Sequence, residues 1–144
     1  NYSLSGDEEK LALERLMLMA FMQMTFVGVP SIYYGDEAGM EGFRDPYNRK
    51  PFPWGNINED LLNYHKKLIK LRNENDFLKR GTFQPLYAQD KVFVYLREIK
   101  DGKDVFGNKA KNGAGLFIVN CSDETVYIKT EVLESYLSEE YFEE

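Results

Sequence analysis

The stretch from Gly28 to Gly55, GVPSIYYGDEAGMEGFRDPYNRKPFPWG, constrains this chain more than any other. It joins two strong helical patterns through an apolar run, an acidic exit, an Arg/Asp/Asn cluster and the only tryptophan. Gly28 and Pro30 stop the preceding helix, and Pro30 drives Val29 toward extended backbone. SIYYG then reads as a short strand, and its lack of strict alternation suits a parallel strand covered on both faces. Gly35 permits a sharp bend or a close backbone approach directly after it. The loop that follows, through Glu37, Gly39, Gly42, Asp45, Pro46, Pro51 and Pro53, is longer than most helix–strand connections, and such length commonly accompanies function.

The flanking patterns are helical. Ser5 and Glu8 fit a capping box, which starts a helix that runs to about Phe26. Its LMLMAFMQMTFV segment is apolar nearly all round, which predicts burial on several sides. The four methionines Met17, Met19, Met22 and Met24 fit irregular core gaps better than an adaptable binding groove. After the loop, Asn56 with Glu59 offers a second capping box, with Asn58 as the other candidate cap. Ile57, Leu61, Leu62, Tyr64, His65, Leu68, Ile69 and Leu71 form its apolar side, and Asn63, Lys66, Lys67, Lys70 and Arg72 its wet side. The acidic start and basic end suit the helix dipole. His65 reads as a packing histidine, and Trp54, just before this helix, as a packing anchor. A helix, a buried short strand and another helix make an α/β pattern.

Beyond Gly81 the period changes. VFVYLREI, GLFIVNC and ETVYIKTE read as strands, with weaker strand character over Thr82 to Tyr87. The intervening KDGKDVFGNKAKNGAG is rich in turn formers and lacks the Gly-rich, Lys-Ser/Thr-terminated spacing of a phosphate loop, so it reads as a solvated hairpin connection. A helical turn is expected from Val132 to Leu137.

Composition narrows the function classes. The 144 residues carry a formal charge of -6, which argues against a general phosphate-backbone binder, so no nucleic-acid partner is expected. The longest oily run, Leu16 to Met22, is too short to span a bilayer, and no membrane partner is expected. Cys121 is the only cysteine, which excludes an internal disulfide framework and a multi-cysteine metal site. With no basic leader followed by an apolar core, the expectation is cytoplasmic.

Within the long loop, Arg44, Asp45, Asn48 and Arg49 present donors and acceptors together, the mixture a polyol requires; a loop-closing ion-pair network is the alternative. Asp36 and Glu37 are adjacent, and adjacent strand side chains point to opposite faces, so they cannot be assumed to flank one scissile bond. Roles at the strand end and in loop organisation suit them better. Tyr33, Tyr34, Phe43, Tyr47, Phe52 and Trp54 could form a stacking wall or pack beneath the prolines. No His/Cys/carboxylate spacing marks a metal site, and no cofactor is assigned.

GVPSIYYGDEAGM followed by DPYNRKPFPW resembles the last strand and outgoing loop of the alpha-amylase family of glycoside hydrolases, most of all cyclomaltodextrinases, neopullulanases and oligo-alpha-glucosidases. The resemblance runs from about Ser5 through Arg72 and weakly beyond. It implies the end of a (β/α)8 TIM barrel over residues 1–80, in which Ser5 to Phe26 resembles the seventh helix, Pro30 to Tyr34 the eighth strand and Ile57 to Asn73 the eighth helix. Residues 81–144 then resemble a small antiparallel, sandwich-like C-terminal β-domain.

What the family implies is retaining cleavage or transfer of alpha-linked glucose oligomers by carboxylates that follow the fourth, fifth and seventh strands. No copy of those motifs is present, so no catalytic residue is assigned and the chain alone is expected to be inactive. Asp45 and Arg49 match the family's Asp-Pro-x-x-Arg spacing, which implies substrate binding. Asp36, Glu37, Arg44 and Asn48 would shape the pocket. The expected partner is an alpha-glucan or maltooligosaccharide in an intact parent, with self-association of the piece as a further arrangement. The competing class is a noncatalytic carbohydrate-binding or structural module.

Overall fold

The computed structural model describes residues 5–42 and 44–129. The chain divides into two compact units, Asn1–Glu74 and Asn75–Glu144. In the first unit, helix α1 (Gly6–Thr25) begins at the Ser5/Glu8 capping box. The Glu8 carboxylate accepts from both the amide and the hydroxyl of Ser5, each at 2.9 Å. Those bonds hold the Glu8 carboxyl below its usual range. Asp7, Glu8 and Glu9 place negative charge where the helix dipole favours it, but the last turn of α1 has no basic residue of its own.

That deficiency is met from helix α2 (Glu59–Glu74). Arg72 reaches back to the end of α1 and donates to the carbonyls of Met24 at 2.8 Å, Phe26 at 3.2 Å and Gly28 at 2.5 Å. It is buried, with 7% of its surface exposed, so its place is not the wet side expected from the helical pattern. Desolvation lowers its pKa from the ordinary value. Between the helices, Ala20 and Met24 pack on Leu68, with Phe21, Ile32 and Tyr64 at the margin. Asn58, rather than Asn56, caps α2 by accepting the Leu61 amide at 3.0 Å. His65 is buried with Nδ1 3.0 Å from the Leu61 carbonyl, in keeping with a packing role.

Three further expectations for this unit are corrected. SIYYG forms no strand, because no other strand lies among the described residues of this unit to complete its hydrogen-bond ladder. The parallel strand on which the α/β assignment rested is therefore not formed. Nor is α1 buried on several sides: Ala20, Met24 and Thr25 are its buried residues, while Met19 is 67% exposed. One helix and one extended run cannot cover an all-round apolar surface. Leu71 and Ile69, assigned to the apolar side of α2, are also exposed.

The second unit holds α3 (Asp76–Arg80) and the antiparallel sheet β1-β2-β3, with β1 at Thr82–Gln89, β2 at Val92–Ile99 and β3 at Gly113–Asn120. Central strand β2 is covered on both faces. On one face Leu86, Val92, Val94 and Leu96 cluster, joined by Leu116, Val126 and Ile128. On the other the Tyr95 ring lies 5.2 Å from Phe93, 5.2 Å from Phe117 and 5.4 Å from Phe83. Phe77 of α3 lies over Gly113 and Gly115, where an added Cβ would come within 2.9 and 2.8 Å of its ring, so the bare β3 backbone makes room for the aromatic. Arg97, 1% exposed, donates from Nε to the Thr82 carbonyl at 2.9 Å. Pro85 sits on edge strand β1 beside a register shift, where its missing amide costs the ladder least.

ETVYIKTE does not form the expected strand through Lys129. Val126 and Ile128 pack inward while Tyr127 is exposed, so the alternation expresses burial without a paired backbone. A sandwich is likewise absent among the described residues, which contain one three-stranded sheet. The expected turn from Val132 to Leu137 lies outside the described residues. The connection between β2 and β3 is more ordered than a solvated hairpin. Asp104 is buried and accepts from the amides of Phe106 at 3.0 Å and Asn108 at 2.9 Å, and from Arg80 Nη1 at 3.3 Å. Burial alone would push the Asp104 carboxyl up, but these bonds and the Arg80 charge outweigh it and hold it below its usual range.

Asp76 supplies a pH prediction. Hydrogen bonds from Lys79 and Arg80 lower its pKa from 3.8 to about 2. The unfolded carboxyl takes up its proton first as pH falls, so the stabilisation is complete above about 4 and is lost on descent toward about 2. Asp76→Asn should flatten that part of the acid unfolding profile followed by circular dichroism. An unchanged profile would contradict the assignment.

Candidate functional site

The turn leaving Tyr34 is built on two left-handed glycines, Gly35 at φ 96° and Gly39 at φ 73°, which bracket a single 3-10 turn at Asp36–Ala38. The Gly35 carbonyl accepts from the amides of Ala38 at 3.0 Å and Met40 at 2.9 Å. A side chain at Gly35 would also collide with Met40 Sδ, so φ and close packing both demand glycine there. Glu37 folds back, and its carboxylate accepts the Gly35 amide at 2.9 Å. That bond ties the Glu37 side chain into the turn. The loop is tied to the start of α2 by the Asn58 amide, which donates to the Ala38 carbonyl at 3.1 Å.

This turn forms one wall of an open cavity of about 430 Å³ lined by Tyr33, Tyr34, Gly35, Asp36, Met40, Glu41, Gly42 and Asn48. Asp36 and Asn48 therefore reach the cavity, whereas Glu37, Arg44, Asp45 and Arg49 are not among its lining residues. Met40 and Glu41 were not singled out from sequence; the pair of glycines that turns the chain back is the signal that places them. Tyr34 spans the loop by donating its hydroxyl to the Lys50 carbonyl at 3.0 Å. Its phenol pKa is raised by desolvation and by the adjacent Tyr33, against the lowering influence of Arg49.

Asp45 and Arg49 meet. Arg49 Nε lies 2.8 Å from Asp45 Oδ1, with side-chain exposures of 69% and 61%. The Asp45–Pro46 peptide is cis, and the Arg49 amide donates to the Pro46 carbonyl at 3.1 Å. The four-residue spacing thus closes into a compact turn that presents a paired anion and cation to solvent. Arg44 is exposed, and its carbonyl accepts the Tyr47 amide at 3.0 Å within the same turn. The Asp45–Arg49 pair offers hydroxyl groups both an acceptor and a donor fork, with its own charges cancelled.

Trp54 is not the packing anchor expected from sequence, since it is 86% exposed. The Phe52 ring lies 4.6 Å from the indole at 53°. The apolar side of α2 packs toward α1 and the 3-10 turn. Among the described residues, no group of three or more His, Cys, Asp or Glu side chains could hold a metal ion. No helix among them is long and apolar enough to cross a membrane.

No family model matches the chain. Individual relatives do. The chain is 46% identical over 113 residues to an amylopullulanase of Thermoanaerobacter thermohydrosulfuricus, a match that covers 78% of this chain and 8% of the relative. It is 47% identical over 93 residues to a cyclomaltodextrinase of Thermoanaerobacter pseudethanolicus, covering 63% of this chain and 16% of the relative. A solved cyclomaltodextrinase structure superposes with a TM-score of 0.61 at 32% identity, over 81% of this chain and 18% of that one. The chain thus spans a small part of the length of the proteins it matches. The resemblance carried by the Gly28 to Gly55 stretch extends across both units, and the chain belongs to the alpha-amylase family of glycoside hydrolases.

Proposed function

We propose that this chain is the C-terminal portion of a retaining glycoside hydrolase acting on alpha-linked glucose oligosaccharides, and that its long loop holds sugar while the bond-breaking carboxylates lie outside it. The observation that carries the reading is the solvent-facing Asp45–Arg49 pair, closed at 2.8 Å. Asp45 accepts from sugar hydroxyls and Arg49 donates to them. Asp36 and Asn48 shape the adjoining cavity, Glu37 fixes its turn, and Arg44 positions the Asp45 to Arg49 turn. The uncovered apolar surface of the first unit supports the rest. Val29 is 96% exposed, and Met24, Val29, Pro30 and Ile32 line an open cleft of about 360 Å³. Neighbouring strands of a (β/α)8 barrel would complete the Ser31 to Tyr34 ladder and cover that surface.

The chain is expected to bind maltohexaose in calorimetric titration and to release no reducing sugar from it. Arg49→Ala should weaken binding at least about tenfold through loss of a charge-assisted donor. The same change should leave thermal stability within about 0.5 kcal/mol, because exposed ion pairs contribute little. Absence of saturable heat, or equal binding by Arg49→Ala, would overturn the sugar-holding role.

A further inference from the structure

We propose that Trp54 is a stacking platform for the apolar face of a pyranose ring, which extends the sugar-holding loop beyond the Asp45–Arg49 pair. The inference rests on the reading of that loop as a sugar binder. Tryptophan is highly buried on average, yet this one is 86% exposed. It is also held in place. The Trp54 amide donates to the Phe52 carbonyl at 2.9 Å, and the Asn56 amide donates to the Pro53 carbonyl at 2.9 Å. Gly55, at φ 81°, completes the turn, and the Phe52 ring braces the indole at 4.6 Å. A ring restrained by its backbone and a neighbouring aromatic loses little conformational freedom when a ligand stacks on it.

The chemistry of the same loop selects the ligand class. A pyranose has a rim of hydroxyls and a face of C–H groups, so it needs polar forks and an aromatic plane on one surface. Asp45 and Arg49 supply the first with more than half of each side chain exposed. Trp54 supplies the second, and Tyr47, 66% exposed, adds aromatic surface between them in sequence. A purely apolar partner would leave the outward hydrogen-bonding capacity of Asp45 and Arg49 unused.

The chain contains one tryptophan, so indole emission reports on this position alone. Titration of the full chain with maltohexaose, followed by emission and heat together, should give coincident saturation curves. Trp54→Ala should weaken binding about tenfold, equivalent to about 1.4 kcal/mol, and Trp54→Phe should retain most of the affinity. Both variants should keep the native circular dichroism spectrum, because the exposed ring contributes little to packing. If heat saturates and depends on Arg49 while emission stays constant, or if Trp54→Ala binds like the unaltered chain, the stacking role is wrong and the sugar-holding role stands. If neither heat nor emission changes, both fall.

Discussion

Tyr95→Ala is expected to destabilise the second unit by about 3–5 kcal/mol, the range for removing a large aromatic from a packed core. Tyr95 is 0% exposed and sits at the middle of the central strand. Three rings, Phe83, Phe93 and Phe117, lie within 5.4 Å of its centroid, and Phe117 is its register partner on β3. Alanine removes the shared contact of all three and leaves a cavity that the sheet backbone cannot collapse to fill. Urea denaturation followed by circular dichroism would show the loss as a lower midpoint. Tyr95→Phe, which keeps the ring, should lose far less. If the two substitutions gave the same midpoint, the aromatic ladder would not be what holds the sheet.

The second large effect belongs to the first unit. Arg72→Leu should cost about 2–4 kcal/mol, because three carbonyls at and beyond the end of α1 lose a buried, charged donor together. Its positive charge also stands where the α1 dipole is negative and where α1 has no basic residue of its own. Arg72→Lys should restore only part of the loss, since a single ammonium cannot reproduce a guanidinium fork spread over carbonyls of Met24, Phe26 and Gly28. Amide hydrogen exchange in the last turn of α1 and thermal unfolding of the chain would both record the change. Equal stability of Arg72→Leu and the unaltered chain would contradict the capping role.

How far these features could be read from sequence depends on the range of the forces that make them. Local signals were sufficient for α1, whose Ser5/Glu8 box spans four residues, and for β2, whose VFVYLREI run opens on four β-branched or aromatic residues and closes on Ile99. Arg72 was misplaced because a basic residue near a helix end looks locally like a dipole partner for its own helix. Its actual partners are 44 to 48 residues away. SIYYG has the composition of a buried strand, but a strand exists only with a neighbour, and none is described in its unit. ETVYIKTE keeps the alternation of a strand through Lys129, with Val126 and Ile128 packed inward, but does not pair with the sheet of its unit.

The candidate site shows the same division. Asp45 and Arg49 stand out in the sequence by the resemblance to the family's Asp-Pro-x-x-Arg spacing and by the loop's mixture of donors and acceptors, and the structure closes them into the ion pair that the sequence leaves open as the alternative to polyol binding. The approach of Met40 to Gly35 was not readable, because it depends on two positive-φ glycines acting in sequence. Trp54 was misjudged by its position before a helix, which says nothing about whether that helix turns its apolar side toward the indole. Asp104 was hidden in a segment with the composition of a solvated loop. Its local acceptor role toward Phe106 and Asn108, two and four residues ahead, was the signal available.

The central claim is that this loop belongs to a larger alpha-glucan hydrolase that supplies the chemistry. The most direct measurement is the nucleotide sequence immediately upstream of the codon for Asn1 in the source genome. The account predicts an uninterrupted reading frame that encodes preceding barrel strands, with acidic motifs after the fourth, fifth and seventh of them. An initiation codon directly before Asn1, or upstream strands without those carboxylates, would contradict it.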